Sequence, residues 1–153
     1  MFERFDQDVR RAVLLGATEE VRRRGDRRVG TDHLLLAVLH GTTAPRVLDV
    51  DVAAARSAAD RLDRAALASI GIDVGGRELA SAATSRRRPP FTSGARTLLK
   101  VTLDQARREK ARRVQARHLL HALLSLKRPD PAAELLDALG VDRDQARARL
   151  TLP

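Results

Sequence analysis

One segment of eleven residues occurs twice in the chain. The first copy, VGTDHLLLAVL, runs from Val29 to Leu39, and the second, VQARHLLHALL, runs from Val114 to Leu124. Six of the eleven positions are identical, and the two histidines, His33 and His118, lie 85 residues apart in a chain of 153. Because self-similarity at a fixed spacing is the signature of a duplicated structural unit, the sequence predicts two related halves.

The similarity extends to both sides of this segment. Upstream, Phe5 and Phe91 each begin a stretch with apolar residues at helical spacing, and Asp6 and Thr92 stand where an N-cap belongs. The expected inward positions are Val9, Ala12, Val13, Gly16, Ala17, Glu20 and Val21 in the first stretch, and Ala95, Leu98, Leu99, Thr102 and Ala106 in the second. Downstream, APRVLD matches AAELLD, and the spacing between copies is 86 at the Phe, 85 at the His and 88 at the Leu-Asp. The repeat is therefore nearly regular.

The composition favours an all-α fold. Ala, Leu and Arg dominate the sequence, whereas aromatic residues make up only 2% of it. Thr31 is expected to be the N-cap of a short helix that turns His33, Leu34, Ala37 and Val38 inward. We predict two pseudo-twofold-related four-helix repeats packed as one domain over 1–153. Repeat one covers about 1–75, a linker about 76–90, and repeat two about 91–153.

Several classes of protein are excluded or disfavoured. The chain has no cysteine, so it has no disulfide framework, thiol nucleophile or Cys-type metal site. Its first residues, MFERFDQDVRR, are charged and unlike a signal peptide, and no apolar run approaches the ~20 residues of a membrane span. A cytoplasmic protein without membrane association is expected. The net charge of +9 is compatible with nucleic acid or with acidic protein partners and does not decide between them.

Neither a metal site nor catalysis is expected. His33, His40, His118 and His121 do not supply the four ligands of a structural zinc site. We interpret His33 and His118 as structural, each holding the start of its helix through its ring nitrogens. No serine has a base at suggestive spacing and no acidic pair recurs, so the chain is predicted not to be an enzyme and to need no cofactor.

The segments MFERF, VGTDHLLLAVL and PFTSGARTLL resemble the double-repeat N-terminal domain of the ClpC/ClpA AAA+ chaperones, in particular those of actinobacteria. The resemblance covers nearly the whole chain. It implies an eight-helix domain that docks protein substrates and Clp adaptors above an ATPase ring of the Clp protease machinery. The chain contains no Gly-Lys dipeptide and therefore no phosphate-binding loop. A stand-alone N-domain protein that delivers or sequesters substrates is expected, and a piece of a longer protein is the alternative.

The resemblance also implies a binding groove on the pseudo-twofold axis. It would receive protein partners and cyclic-peptide antibiotics of the cyclomarin type. The matching positions are Phe2, Arg10, Leu14, Phe91, Arg96, Leu99 and Leu103. Ala17 and Lys100 depart from the residues usual in that groove. An alternative is that Phe2 and Phe91 simply pin the two helix starts.

Two other functions remain open. In some relatives a glutamate before the histidine of this segment receives phosphoarginine-marked substrates; here Asp32 keeps the charge in the first copy, and Arg117 reverses it in the second. A reader with one weakened site is the alternative that this implies. Each of the two first stretches ends in a basic cluster: Arg22, Arg23, Arg24, Arg27 and Arg28 in the first copy, and Arg107, Arg108, Lys110, Arg112 and Arg113 in the second. These clusters could also bind nucleic acid, but no aromatic residue is interleaved with them for base stacking, which makes that function less favoured.

Overall fold

The computed structural model describes residues 2–72 and 87–151. Within these two ranges the chain is helical and contains no β-strand beyond isolated bridges. A 3-10 turn at Phe2–Arg4 comes first, and a π-helical segment at Ala12–Gly16 separates the first two α-helices. The α-helices are α1 (Gln7–Arg11), α2 (Ala17–Arg24), α3 (Thr31–Val38), α4 (Thr43–Leu48), α5 (Val52–Ser69), α6 (Ser93–Arg108), α7 (Ala116–Leu124), α8 (Pro131–Ala138) and α9 (Arg143–Thr151). The all-α prediction is confirmed. The predicted linker lies mostly outside the described residues.

The first helix is longer in repeat one than in repeat two. In repeat one, α1, the π segment and α2 form one continuous right-handed helix, whereas repeat two has the regular helix α6 in this place. A π segment accommodates one extra residue within a helix. The sequence needs such an extra residue, because the spacing between the copies falls from 86 at Phe5 to 85 at His33. The π segment thus accounts for the change in spacing.

The duplicated segment forms the centre of the core. Leu34, Leu35 and Leu36 of α3 are completely buried, and so are Leu119 and Leu120 of α7. Helix α3 packs against α5, α6, α7 and α8, so the first repeat's central helix contacts the second repeat directly. The two repeats therefore share one core, as predicted.

Two short backbone bridges join the repeats, and each bridge pairs a residue of one repeat with a residue of the other. Phe5 pairs with Val114, and Phe91 pairs with Val29. In the first bridge, the N–H of Asp6 donates to the carbonyl of Val114 at 2.8 Å, and the N–H of Val114 donates to the carbonyl of Arg4 at 2.8 Å. Each repeat thus supplies the residues that precede its first helix to the segment that precedes the other repeat's second helix.

The second bridge repeats this pattern on the other side of the pseudo-twofold axis. The N–H of Thr92 donates to the carbonyl of Val29 at 2.9 Å, and the N–H of Val29 donates to the carbonyl of Pro90 at 2.9 Å. The two sets of bonds match at spacings of 86 and 85 residues. The symmetry predicted from the sequence therefore extends to individual hydrogen bonds.

The helix caps agree with the sequence in two of three cases. Asp6 caps α1, and Thr92 caps α6 by accepting from the N–H of Ala95 at 3.1 Å. The prediction for Thr31 is wrong, because Gly30 is the N-cap and Thr31 is the first residue of α3. The hydroxyl of Thr31 instead donates to Asp130 at 2.7 Å and accepts from the N–H of Ala132 at 3.2 Å. It joins α3 to the start of α8 in the other repeat.

The first helix of each repeat ends in a left-handed residue. In repeat one this residue is Gly25, with φ 71°, and in repeat two it is Lys110, with φ 55°. The two positions are 85 residues apart and are therefore equivalent. Only glycine adopts this conformation without steric cost, so the second copy carries local strain that the first does not.

Candidate protein-docking surface

Two of the predicted groove residues contact each other across the repeats. The ring centroids of Phe2 and Phe91 are 6.2 Å apart with an interplanar angle of 37°, a tilted arrangement typical of interacting aromatic pairs. Phe2 also lies 5.5 Å from Phe5, which is buried in the core as expected. Phe2 and Phe91 are each partly exposed and pack against the core from outside. They form a single aromatic surface instead of two separate corners.

The other expected groove residues differ in exposure. Arg10 on α1 and Arg96 on α6 are exposed, while Leu14 in the π segment and Leu103 on α6 are partly exposed. These four side chains can reach a ligand at the surface.

Leu99 does not lie on this surface. Its side chain is 1% exposed and belongs to the core, so the expectation that it lines an open groove is corrected. Ala17 is also completely buried. The reason lies in the helical spacing: Leu98 and Leu99 both point into the core, and only neighbours such as Lys100 and Val101 remain outside.

A separate cleft lies on another part of the surface. It has a volume of about 800 Å³ and lies between the π segment, the α3–α4 connection, the start of α7 and the end of α9. Leu15, which is 53% exposed, lies in its wall, and Arg11, Arg46 and Arg149 are among its charged residues. Phe2 and Phe91 are not among its lining residues. No sequence pattern indicates this cleft, because its wall is assembled from four separate parts of the chain.

Both duplicated histidines hold the start of a helix. The N–H of Gly30 donates to Nδ1 of His33 at 2.8 Å, and the N–H of Gln115 donates to Nδ1 of His118 at 2.8 Å. Because Nδ1 accepts in each case, the ring proton of the neutral form is on Nε2. Nε2 of His33 lies 2.7 Å from Asp26. Both rings are buried, as the structural interpretation predicted.

His118 has a different acidic partner. Its Nε2 lies 3.1 Å from Oε2 of Glu109. The position equivalent to Asp26 is Ala111, which has no carboxylate, and Glu109 lies two residues before it. Burial and the adjacent Arg117 lower the pKa of His118 from its usual value and outweigh the opposing effect of Glu109. The ring therefore stays neutral near pH 7.

Asp32 is held by an internal ion pair. Its Oδ2 accepts from Nη1 of Arg24 at 2.6 Å, and the Arg24 side chain is only 7% exposed. Arg24 also donates twice to Asp63, at 2.8 and 2.9 Å. Burial opposes the charge of Arg24, but the attraction of Asp32 and Asp63 is stronger and raises the pKa of Arg24. The carboxylate that would receive a phosphoarginine already has a guanidinium partner.

Arg117 takes part in the equivalent ion pair of repeat two, in which the positions of the two charges are exchanged. Residues 24 and 109 are equivalent at a spacing of 85, as are residues 32 and 117. Arg24 pairs with Asp32 in repeat one, and Glu109 forms a short hydrogen bond with Arg117 in repeat two. The change from Asp to Arg before the second histidine is therefore accompanied by a change from Arg to Glu at its partner.

A buried carboxylate in repeat one was not anticipated as part of a network. The Glu20 side chain is completely buried; it accepts from Nη2 of Arg56 at 2.6 Å and lies 3.0 Å from Nε2 of His40. Burial acts against its charge, but bonds from Arg56, His40 and Arg23 lower the pKa of Glu20. Helical spacing predicts that Glu20 points inward, but its partners Arg56 and His40 come from α5 and from the connection between α3 and α4.

In the described ranges, no three His, Asp or Glu side chains are arranged to hold a metal ion. None of the helices in those ranges is long and apolar enough to cross a membrane.

Comparisons with known proteins agree on one relationship. No protein-family model matches the chain. It is 28% identical over 155 aligned residues to the chloroplastic chaperone ClpC1 of Oryza sativa subsp. japonica, and 27% identical to a ClpA homologue, an ATP-binding subunit of the Clp protease, of Cyanidium caldarium. These alignments cover 98% of this chain but only 15% and 16% of the relatives, so the chain spans about one-sixth of their length.

A solved structure gives the fold. The crystal structure of the N-terminal domain of the caseinolytic protease-associated chaperone ClpD from Arabidopsis thaliana superposes with a TM-score of 0.71 at 20% identity. The match covers 98% of this chain and 96% of that domain. The chain thus has the fold of the Clp N-terminal domain and is similar, over nearly its whole length, to one region of the ClpC and ClpA chaperones.

Proposed function

We propose that the chain is a non-enzymatic, cytoplasmic docking domain that binds segments of protein substrates or Clp adaptors. In this proposal it delivers them to the Clp protease machinery or sequesters them from it. Cyclic-peptide antibiotics of the cyclomarin type would bind at the same surface. The proposal is supported by the fold and by the similarity to Clp chaperones, whose names describe ATP-binding subunits of a protease.

The partly exposed pair Phe2 and Phe91 is the observation that carries this proposal. Two aromatic rings from different repeats meet at the surface, and exposed arginines, Arg10 and Arg96, stand on the two first helices. Aromatic and arginine side chains contribute a large share of the binding energy in protein interfaces. Such a surface suits a peptide with apolar side chains and free backbone carbonyls.

A titration tests this proposal. A cyclomarin-type peptide is titrated into the protein by isothermal calorimetry, and we expect one site per chain. Phe91→Ala should weaken binding about thirtyfold or more, since truncation of a hot-spot residue costs about 2 kcal/mol or more. Ile70→Ala is the matched control, because Ile70 is an apolar side chain that is 72% exposed at the end of α5. Equal affinities of the parent and of Phe91→Ala would contradict the proposal.

No specific observation favours phosphoarginine recognition or nucleic-acid binding. For phosphoarginine, we expect weak binding or none, because Asp32 is paired with Arg24 and the second copy presents Arg117. For nucleic acid, we expect weak, salt-sensitive binding that depends on the total positive charge and not on Phe91.

A further inference from the structure

The cleft of about 800 Å³, the inter-repeat cleft, lies where the two repeats meet. Its first wall is the first helix of repeat one with the π segment, and its second wall is formed by α4, the start of α7 and the end of α9. Helix α4 packs against both α7 and α9, and Nη1 of Arg149 donates to the carbonyl of Val47 at 3.1 Å. The second wall is therefore a fixed surface built from both repeats.

The equivalent place in repeat two is filled by the chain itself. Asp130, at the end of the α7–α8 connection, accepts from the hydroxyl of Thr31 at 2.7 Å and from the N–H of Ala132 at 2.8 Å. A Cβ atom added to Gly94 would lie 3.8 Å from the same carboxylate. Asp130 thus occupies the space between the starts of α3, α6 and α8.

The sequence explains why this space is open in repeat one. The connection between the second and third helices is three residues shorter there, because the spacing between the copies rises from 85 at the histidines to 88 at the Leu-Asp pairs. Thr42 stands at the position of Asp130, and Ala116 stands at that of Thr31. Since Ala116 has no hydroxyl, the hydrogen bond that closes the space in repeat two has no counterpart in repeat one.

The first wall of the inter-repeat cleft presents an apolar surface to solvent. Leu15, in the π segment, has a side chain that is 53% exposed, and Ala12 beside it is partly exposed. Leu150 of α9, on the second wall, is also partly exposed. Covering these side chains removes apolar surface from water, which favours the binding of an apolar group between the walls.

The charges of the cleft are divided between its walls. The first wall carries Arg11 and all the carboxylates of the lining, which are Asp6, Asp8 and Glu19. Among the described residues, the second wall carries no carboxylate and has three arginines, Arg46, Arg117 and Arg149. Arg117 is engaged by Glu109, whereas Arg46 is exposed and has no ion-pair partner in the described part of the chain. In repeat two, Glu134 stands at the position of Arg46. The second wall therefore attracts an anion.

We propose that the inter-repeat cleft binds a segment of a partner protein in which an aspartate or glutamate lies next to an apolar side chain. The carboxylate pairs with Arg46 on the second wall, for which arginine has the matching geometry, and the apolar side chain covers Leu15. Asp130 is the precedent within the molecule, because a carboxylate on a chain segment already fills the equivalent place in repeat two. The volume is within the range of about 300–1,000 Å³ that is typical of binding sites.

A protein segment fits the cleft better than nucleic acid does. No aromatic side chain lines the cleft for base stacking, and the carboxylates of the first wall repel a chain of phosphates. The proposal goes beyond the docking function proposed above and does not depend on it, because Phe2 and Phe91 do not line this cleft. One surface can therefore fail a test while the other passes.

A fluorescein-labelled peptide, Gly-Leu-Asp-Leu-Asp-Gly with an amidated C-terminus, serves as the probe in a fluorescence anisotropy titration of the whole chain. We expect saturable binding at one site. Leu15→Ala should weaken it at least about fivefold through lost apolar contact, and Arg46→Glu at least about tenfold through charge reversal. Replacing the leucines of the probe by serine, or its aspartates by asparagine, should weaken binding as well.

Each variant has a matched control. Val101→Ala shortens an apolar side chain that is 46% exposed on the first helix of repeat two and does not line the cleft. Arg108→Glu makes the same change in net charge as Arg46→Glu at an exposed position on α6 outside the cleft. Affinity for the probe should stay within about twofold of the parent in both controls and in Phe91→Ala. Circular dichroism establishes that each variant is folded.

Four results would overturn the proposal. Parent affinity in Leu15→Ala and Arg46→Glu would exclude the cleft as the site, and an equal loss in Arg108→Glu and Arg46→Glu would mean attraction by net charge alone. A single-stranded DNA 12-mer that binds at least as tightly as the peptide, and is weakened by Arg46→Glu, would make the cleft a nucleic-acid site. A dimer of the free chain in analytical ultracentrifugation that Leu15→Ala dissociates would assign the cleft to a second copy of the chain.

Discussion

Replacing Asp32 by alanine distinguishes a structural carboxylate from a ligand-binding one. The residue precedes His33 in the duplicated segment. In the structure its side chain is 14% exposed and accepts at 2.6 Å from Arg24, which is 7% exposed. We expect Asp32→Ala to destabilise the fold, because a buried guanidinium loses one of its partners.

The magnitude follows from the remaining contacts. Removal of one partner from a fully buried pair costs about 3–5 kcal/mol. Arg24 keeps both bonds to Asp63, at 2.8 and 2.9 Å, so the loss is closer to one charge-assisted hydrogen bond, about 1.5–3 kcal/mol. Asp32 also lies in the first turn of α3, where an acidic residue contributes about 0.3–1 kcal/mol. The expected total is about 2–4 kcal/mol.

Urea denaturation followed by circular dichroism measures this free energy. A domain of this size loses about 2–4 °C in Tm for each kcal/mol, so Tm should fall by at least about 4 °C. Arg117→Ala is the control at the equivalent position. Its side chain is 42% exposed and its partner Glu109 33% exposed, and such pairs contribute about 0.2–1 kcal/mol. Loss of a cation from the first turn of α7 offsets part of that, so the change should stay within about 0.5 kcal/mol.

The asymmetry between the two variants is the test. Equal stability of the parent and of Asp32→Ala would refute the assignment of Asp32 as a partner of Arg24. So would a destabilisation by Arg117→Ala as large as that by Asp32→Ala. Asp32→Asn checks that the charge is responsible, because it keeps the size of the side chain and should recover little of the lost stability.

Three further predictions concern the core, a cap and a histidine. Phe5→Ala should destabilise the domain by about 3–5 kcal/mol in urea denaturation, as a large side chain is removed from the core. Lys110→Gly should stabilise it by about 0.5–1 kcal/mol, raising Tm, because φ is 55° at this position. The His118 ring should titrate below about 6.5 in an NMR pH series, since burial and Arg117 disfavour its protonation. As pH falls below 6.5, the unfolded chain then takes up this proton first, so the contribution of His118 to stability is present above that pH and is lost below it.

Each of these predictions has a distinct contrary result. A Phe5→Ala variant that unfolds at the same urea concentration as the parent would place the ring outside the core. Lower stability of Lys110→Gly would mean that the lysine side chain makes a contribution larger than the strain at its backbone. A His118 midpoint above its usual value would show that Glu109 dominates its surroundings.

The sequence predicted the fold because the duplication appears in local patterns. Helical spacing, two N-caps and the paired Phe residues depend on neighbours along the chain, and all of these are visible in a single sequence. The one-residue change of spacing was also visible, but a π segment and a longer loop would produce the same change. Only the structure locates it at Ala12–Gly16.

The candidate site was less predictable, because it depends on contacts between distant residues. Leu99 shares its helix face with other core residues, and no pattern within α6 distinguishes it from Leu103. The pairing of Asp32 with Arg24 was missed because Arg24 is part of a basic cluster that reads as a solvated surface.

The exchanged bridges have a consequence for a chain that contains only one repeat. In this molecule Phe5 finds Val114, and Phe91 finds Val29, so neither repeat satisfies its own bridge. A half-length chain with this sequence pattern would leave both the segment before its first helix and the segment before its second helix unpaired. It could close them only with a second copy of itself about a true twofold axis, so that the same surface serves both partners. In the single chain, the two repeats make the contacts that two identical subunits would make across a twofold axis. Because the repeats have separate sequences, each can change independently, as the reversed charge pair shows.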